Sequence, residues 1–116
     1  MLRIGSIVLK VAANPRAARF WTEALTYVPT PANPDFLIPA GGEGPRLHLD
    51  ENDRTHLDLW VDSEAEQRAE VERLVALGAT RVDWDYPEGA DFVVLADTEG
   101  NLFCVVNTAE PTTTEL

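Results

Sequence analysis

Two histidines and a single cysteine are the residues of this sequence whose types and spacing suit metal or acid–base chemistry. Each histidine opens a His-Leu-Asp triplet, at residues 48–50 and 56–58, and the cysteine is Cys104. Imidazole, thiolate and carboxylate groups are typical ligands of zinc and related divalent metals. Two interpretations stay open: a metal site formed by His48, His56 and Cys104 with an aspartate, or two histidines that hydrogen-bond neighbouring aspartates.

Cys104 is also the only candidate nucleophile of its type, and its flanks argue against that role. A reactive thiol needs a cationic neighbour or a helix N-terminus to lower its pKa. Phe103 and Val105 are apolar, which favours a buried and inert thiol. The sequence contains no nucleophile elbow, phosphate loop or dinucleotide fingerprint, and one cysteine forms no internal disulfide.

Aromatic side chains provide a second chemical signal. Trp60 shares a strand face with His56 and Asp58, and Trp84 stands close to Tyr86. Aromatic rings stack on flat molecules, and carboxylates beside them neutralise cationic ones. These residues therefore predict a small-molecule site, with a core position as the alternative for Trp60.

The charge excludes two classes of partner. The 116 residues carry 20 acidic and 9 basic side chains, for a net charge of −11. Residues 1–58 hold six Lys/Arg and seven Asp/Glu, whereas residues 59–116 hold three and thirteen. Nucleic acids and anionic membranes would repel such a chain. No signal peptide or membrane-spanning run is visible, so we expect a cytoplasmic protein.

The strands and helices that would position these residues are predicted in the same order in both halves of the sequence. In the first half, a β-branched strand precedes Asn14 and Pro15, which predict a helix start with Asn14 as the N-cap. In the second half, Ser63 and Glu66 predict a capping box and Gly78 a helix end. The remaining strands are predicted at residues 36–38, 46–50, 56–61, 81–86, 92–96 and 102–106.

An internal repeat is visible in this order. Residues 36–44 match residues 92–100 at four of nine positions. Neither half is long enough to bury a sheet face alone. We therefore predict an α+β domain spanning residues 1–116, built from two βαβββ units at about 4–52 and 54–107, with a frayed tail at 108–116.

Three stretches of the sequence resemble the vicinal-oxygen-chelate superfamily, which contains glyoxalases, bleomycin-resistance proteins and ring-cleaving dioxygenases. They are residues 6–25, residues 56–61 with the following helix through Thr80, and residues 96–106. The last is similar to the Asp-Pro-Glu-Gly-Asn ending of glyoxalase-like domains, with Thr98 in place of proline. The resemblance implies a curved open-barrel sheet with helices on the outside, a homodimer, a ligand cavity and often a divalent metal.

The resemblance also implies where metal ligands would lie. The matching positions are Ser6, His48, His56 and Cys104, and only His56 keeps an expected residue type. The prediction is therefore a small-molecule-binding protein that sequesters a drug or metabolite without an intact catalytic metal set. The alternative is a metal-dependent lyase, isomerase or dioxygenase. The predicted ligand-binding residues are Ser6, His48, His56, Asp58, Trp60, Trp84 and Cys104.

Overall fold

The computed structural model describes residues 1–109 of the chain. The order strand–helix–strand–strand–strand occurs twice. The elements are β1 (Arg3–Lys10), α1 (Asn14–Leu25), β2 (Tyr27–Pro29), β3 (Phe36–Pro39), β4 (Arg46–Asp50), β5 (His56–Val61), α2 (Glu64–Ala76), β6 (Thr80–Arg81), β7 (Phe92–Ala96) and β8 (Leu102–Asn107).

The first compact unit comprises residues 4–58. Its strand β1 pairs in parallel with β4, while β3 pairs antiparallel with both β4 and β2. Leu37, Leu47 and Leu49 are buried and pack against α1 through Ala17, Ala18 and Trp21. Because side chains alternate along a strand, burying Leu47 and Leu49 under the helix turns Arg46, His48 and Asp50 to the opposite sheet face.

The second compact unit comprises residues 1–3 and the chain from Leu59 onward. Strand β7 pairs antiparallel with β8 over five residue pairs and with β6 over two. Val61, Val71, Leu95 and Val105 form its buried core, in which Val71 belongs to α2. Residues 110–116 of the predicted tail lie outside the described residues, whereas Thr108 donates its backbone N–H to the Val61 carbonyl.

Neighbouring strands run in the order β2-β3-β4-β1 in the first unit and β8-β7-β6 in the second. The predicted α+β class is thereby confirmed. Neither helix in the described part of the chain is long and apolar enough to cross a membrane.

The start of α1 differs from the prediction. Ala13, not Asn14, is the N-cap, and it makes no side-chain capping bond. The Asn14 side chain instead donates to the Leu49 carbonyl of β4 at 3.2 Å, and its backbone N–H donates to the Glu51 carboxylate. Asn14 was wrongly predicted as the cap because it forms tertiary contacts that a local pattern does not contain.

The start of α2 follows the prediction closely. The Ser63 hydroxyl accepts the Glu66 backbone N–H at 3.0 Å, and the Glu66 carboxylate accepts the backbone N–H of Asp62. Helix starts of this kind depend on contacts within a few residues, which explains why the sequence alone was sufficient.

Two strand predictions were wrong. The strand expected at residues 81–86 is shorter and covers only Thr80–Arg81. Beyond Arg81 the backbone N–H of Val94 in β7 donates to the phenol oxygen of Tyr86 and not to a strand carbonyl, so the strand pairing with β7 does not continue. The sequence also missed β2. It begins after Thr26, which ends α1 in the left-handed conformation at φ 58°, a conformation that threonine rarely adopts.

Candidate functional site

The sheet face of the first unit that is turned away from α1 carries most of the polar candidates. The parallel register of β1 and β4 sets Ser6 beside Arg46 and Val8 beside His48. Ser6 and Val8 are buried, and Arg46 and His48 are half-buried. We call Ser6, Phe36, Arg46 and His48 the polar face of the first unit.

Ser6 is fully buried and holds an arginine. Its hydroxyl oxygen accepts a hydrogen bond from Nε of Arg46 at 3.2 Å. The side chain predicted at a metal-ligand position therefore orients a guanidinium group. Arg46 is not among the predicted ligand-binding residues, although strand alternation puts it on the face of His48.

The Phe36 ring contacts both basic side chains of the polar face, Arg46 and His48. The guanidinium carbon of Arg46 lies 3.8 Å from the centroid of the Phe36 ring, and the imidazole of His48 meets that ring edge-on at 4.5 Å between centroids. A cation over an aromatic face is attracted by the ring quadrupole. Phe36 thus orders Arg46 and His48 side by side, and no sequence motif marked it for this role.

The environment favours the neutral form of His48. Desolvation lowers the pKa of the His48 imidazole below 6.5, and Asp50, whose carboxylate lies 3.6 Å away, opposes that shift. Asp50 is engaged elsewhere, since two backbone N–H groups of the following turn lower its pKa. Desolvation also lowers the pKa of Arg46, against the attraction of Asp58.

His56 has a defined tautomer. Its Nδ1 lies 2.7 Å from the carbonyl oxygen of Arg54. A carbonyl only accepts hydrogen bonds, so Nδ1 carries the proton. Nε2 faces the Asp58 carboxylate at 3.3 Å, and both side chains are largely buried. The Arg54 carbonyl and the Asp58 carboxylate therefore fix the orientation of the His56 ring.

Cys104 belongs to the second unit, on β8, where its side chain is half-buried. Within the first unit, the imidazole of His56 and the carboxylate of Asp58 are donors of the kinds that bind a divalent zinc-like cation. The imidazole of His48 lies against a different carboxylate, that of Asp50.

The two predicted tryptophans have different surroundings. The Trp60 ring lies under the Arg3 guanidinium at 5.9 Å, and that arginine also pairs with Asp62. Trp84 is 42% exposed, in the irregular segment between β6 and β7. Trp84 therefore has an accessible surface, whereas Trp60 is partly covered by an arginine of its own unit.

A family model described as a glyoxalase-like domain matches residues 6–106. The chain therefore belongs to the glyoxalase-like domain family, and the resemblance to the vicinal-oxygen-chelate superfamily is confirmed. A search of the curated proteins found no match.

Solved structures share the fold at low sequence identity. A structure described as an NAD-dependent benzaldehyde dehydrogenase from Legionella pneumophila is 14% identical, with a TM-score of 0.64 over 88% of this chain and 96% of the other. Methylmalonyl-CoA epimerase from Mycobacterium tuberculosis is 15% identical, with a TM-score of 0.58 over 93% and 88%. The hypothetical protein BH1468 from Bacillus halodurans C-125 is 15% identical, with a TM-score of 0.56 over 99% of both chains.

Proposed function

We propose that this glyoxalase-like protein binds and sequesters a small organic molecule, without a complete catalytic metal set. The observation that carries this proposal is the hydrogen bond from Arg46 Nε to the buried Ser6 hydroxyl. Ser6 stands where the resemblance implies a metal ligand. A guanidinium group held at that hydroxyl repels a divalent cation there, so Ser6 is unsuited to complete a metal site.

The chemistry of the polar face favours a planar ligand with hydrogen-bond acceptors. Phe36 presents an aromatic ring and Arg46 presents guanidinium N–H donors. His48 presents a neutral imidazole, because burial lowers its pKa. Arg46 donates N–H groups to this face, while the carboxylates of Asp50 and Asp58 also act on it, so a planar ligand that carries acceptor atoms suits it. The other predicted binding residues are Asp58, Trp60, Trp84, His56 and Cys104.

A ligand panel on metal-free protein tests this proposal. The protein is first dialysed against a chelator. Its melting temperature is then measured with three quinoline derivatives that bear a carboxylate, a carboxamide or an aminomethyl group. The carboxylate and carboxamide should stabilise the wild type, and Arg46→Gln or Phe36→Leu should remove the shift. Arg16→Gln, an exposed arginine on α1, is the matched control and should keep it.

The same ligand panel can also contradict the proposal. If no planar compound stabilises the metal-free protein and stabilisation appears only after zinc or manganese is added, sequestration without metal is wrong. Amide chemical-shift mapping by NMR adds an independent readout, since ligand-induced shifts should centre on residues 6, 36 and 46–48.

A metal-dependent lyase, isomerase or dioxygenase is the second candidate, favoured by the His56 Nε2 atom that lies 3.3 Å from the Asp58 carboxylate. These two residues would hold the ion through Nε2 and a carboxylate oxygen, and the ion would polarise a substrate oxygen. Elemental analysis and zinc titration followed by calorimetry test this function. Stoichiometric binding that is lost in His56→Gln and Asp58→Asn, and kept in His48→Gln, would support it, whereas trace metal with no heat of binding would exclude it.

The homodimer and the cytoplasmic location also remain predictions. Sedimentation equilibrium of the purified chain tests the dimer, because a mass of 12.8 kDa would show a monomer. Fractionation of cells that express the tagged chain tests the location.

A further inference from the structure

The second unit contains a cavity lined only by its own residues. Residues 82–91 connect β6 to β7 without forming a helix or strand, and a cavity of about 540 Å³ opens between this segment and β7. Its lining is mostly apolar and aromatic and includes Val82, Tyr86, Pro87, Phe92 and Val94. That volume falls in the range that holds drug-sized molecules.

The Tyr86 side chain, on the aromatic side of the cavity, is held in place by two contacts. The Tyr86 phenol oxygen accepts the backbone N–H of Val94 at 2.7 Å, and the Tyr86 ring packs against Phe92 at 5.4 Å between centroids. This hydrogen bond ties the segment to β7 and keeps both rings at the cavity wall. The phenol proton is still available as a donor, because the oxygen acts as acceptor in the bond to Val94.

One lining residue is cationic. Arg81 ends β6, opposite Leu95 of β7, and lines both this cavity and a smaller one of about 180 Å³ beside α2. Across residues 1–109, no hydrogen bond or ion pair engages its guanidinium group. The four carboxylates of the segment, at residues 83, 85, 88 and 91, are not among the groups that line the cavity.

We propose that this cavity is a binding site for an aromatic carboxylate. The ring of the ligand packs against Tyr86 and Phe92, the carboxylate meets the guanidinium of Arg81, and the Tyr86 hydroxyl donates to a ligand oxygen. An apolar pocket with a few polar groups at defined places is the usual form of a small-molecule site, and arginine matches the planar geometry of a carboxylate. The site does not depend on the function proposed for the first unit.

Binding of naphthoate, measured by calorimetry and by NMR amide shifts on the full chain, tests the proposal. Naphthamide and naphthylmethylamine serve as neutral and cationic analogues of the same ring. We expect naphthoate to bind most tightly, with the largest shifts in residues 81–94. In Arg81→Gln, naphthoate should bind about fivefold more weakly, as for one exposed charge pair, while naphthamide should be unaffected.

Arg68→Gln is the matched control, since Arg68 lies on α2, lines only the smaller cavity and pairs with Glu64. It should leave naphthoate binding unchanged. The proposal is overturned if the three analogues bind equally, if the cationic analogue binds best, if no binding is detected, or if Arg81→Gln has no effect. Shifts confined to residues 6, 36 and 46–48 would also overturn it and would instead support the ligand site of the first unit.

Discussion

The two histidines differ in their hydrogen-bond partners. His56 donates from Nδ1 to a backbone carbonyl and turns Nε2 toward Asp58. Within residues 1–109 no carbonyl accepts a hydrogen bond from the His48 ring, which packs against Phe36 and lies 3.6 Å from Asp50, a distance longer than a hydrogen bond. The two identical triplets in the sequence therefore supply two chemically different imidazoles.

The lowered pKa of His48 makes stability pH-dependent. In the unfolded chain His48 takes up a proton near its ordinary value of 6.5, whereas desolvation delays protonation in the folded chain to lower pH. The unfolded state thus binds more protons as the pH falls below 6.5, and the free energy of unfolding decreases. We expect His48→Gln to lose less stability than the wild type between pH 7 and pH 5.

Urea unfolding at closely spaced pH values measures this difference. Subtracting the two curves removes the contribution of every group that both proteins share. An equal or steeper loss of stability in His48→Gln on acidification would contradict the desolvation of His48.

At the scale of elements, α2 ends in a way that only glycine allows without strain. Gly78 follows the helix with φ 123°, and a Cβ atom there would lie 3.0 Å from the Thr98 methyl carbon. Gly78→Ala should therefore lower the free energy of unfolding by about 1–2 kcal/mol. Gly41→Ala, which meets nothing within 4 Å, should change it by less than about 0.5 kcal/mol. Chemical denaturation of both variants is the measurement.

Gln67 connects α2 to two other parts of the second unit. Its buried side-chain amide donates to the carbonyls of Asp91 and Val105, at 3.0 and 2.9 Å. Gln67→Met keeps the length of the side chain but removes both of these bonds, while the Asp91 carbonyl keeps the bond from the backbone N–H of Asn107. We expect a loss of about 2 kcal/mol in the free energy of unfolding.

The exposed position Glu72 on the same helix provides the control for Gln67. Glu72→Met should change the free energy of unfolding by less than about 0.5 kcal/mol. If guanidinium denaturation gives the same loss for both substitutions, the amide hydrogen bonds of Gln67 do not stabilise the unit.

How far the sequence predicts an element depends on the range of the contacts that form it. The capping box of α2 involves Ser63 and Glu66, three residues apart, and it was predicted correctly. Asn14 and the segment after Arg81 were predicted wrongly, because a carbonyl 35 residues away holds Asn14 and the Tyr86 phenol bonds the Val94 amide. Local propensity cannot represent such partners.

For the whole molecule, charge is distributed unevenly. Arg68 and Arg73 pair with Glu64 and Glu70 on α2. The four carboxylates of the segment 82–91 form no ion pair within the described part of the chain. Acidic groups without partners repel one another when the total charge is −11, and this repulsion opposes compact structure.

Salt should therefore stabilise the protein. Raising sodium chloride from about 0.01 M to about 0.3 M shortens the screening length severalfold, so the melting temperature should rise in calorimetric scans. A variant with the carboxylates at residues 83, 85, 88 and 91 changed to amides should melt higher at low salt and respond less. A melting temperature that is independent of salt, or an equal rise in the variant, would contradict this account.

The sequence by itself determined the α+β class, the family and the strand face shared by His56, Asp58 and Trp60, since these follow from periodicity and motifs. Only the tertiary structure decided that Arg46 bonds Ser6, 40 residues away, that Phe36 contacts both Arg46 and His48, and that the His56 ring bonds the Arg54 carbonyl and faces Asp58. The physical reason is that strand register and partner choice are set by long-range packing, so a residue's neighbours across the sheet are not encoded in its local pattern.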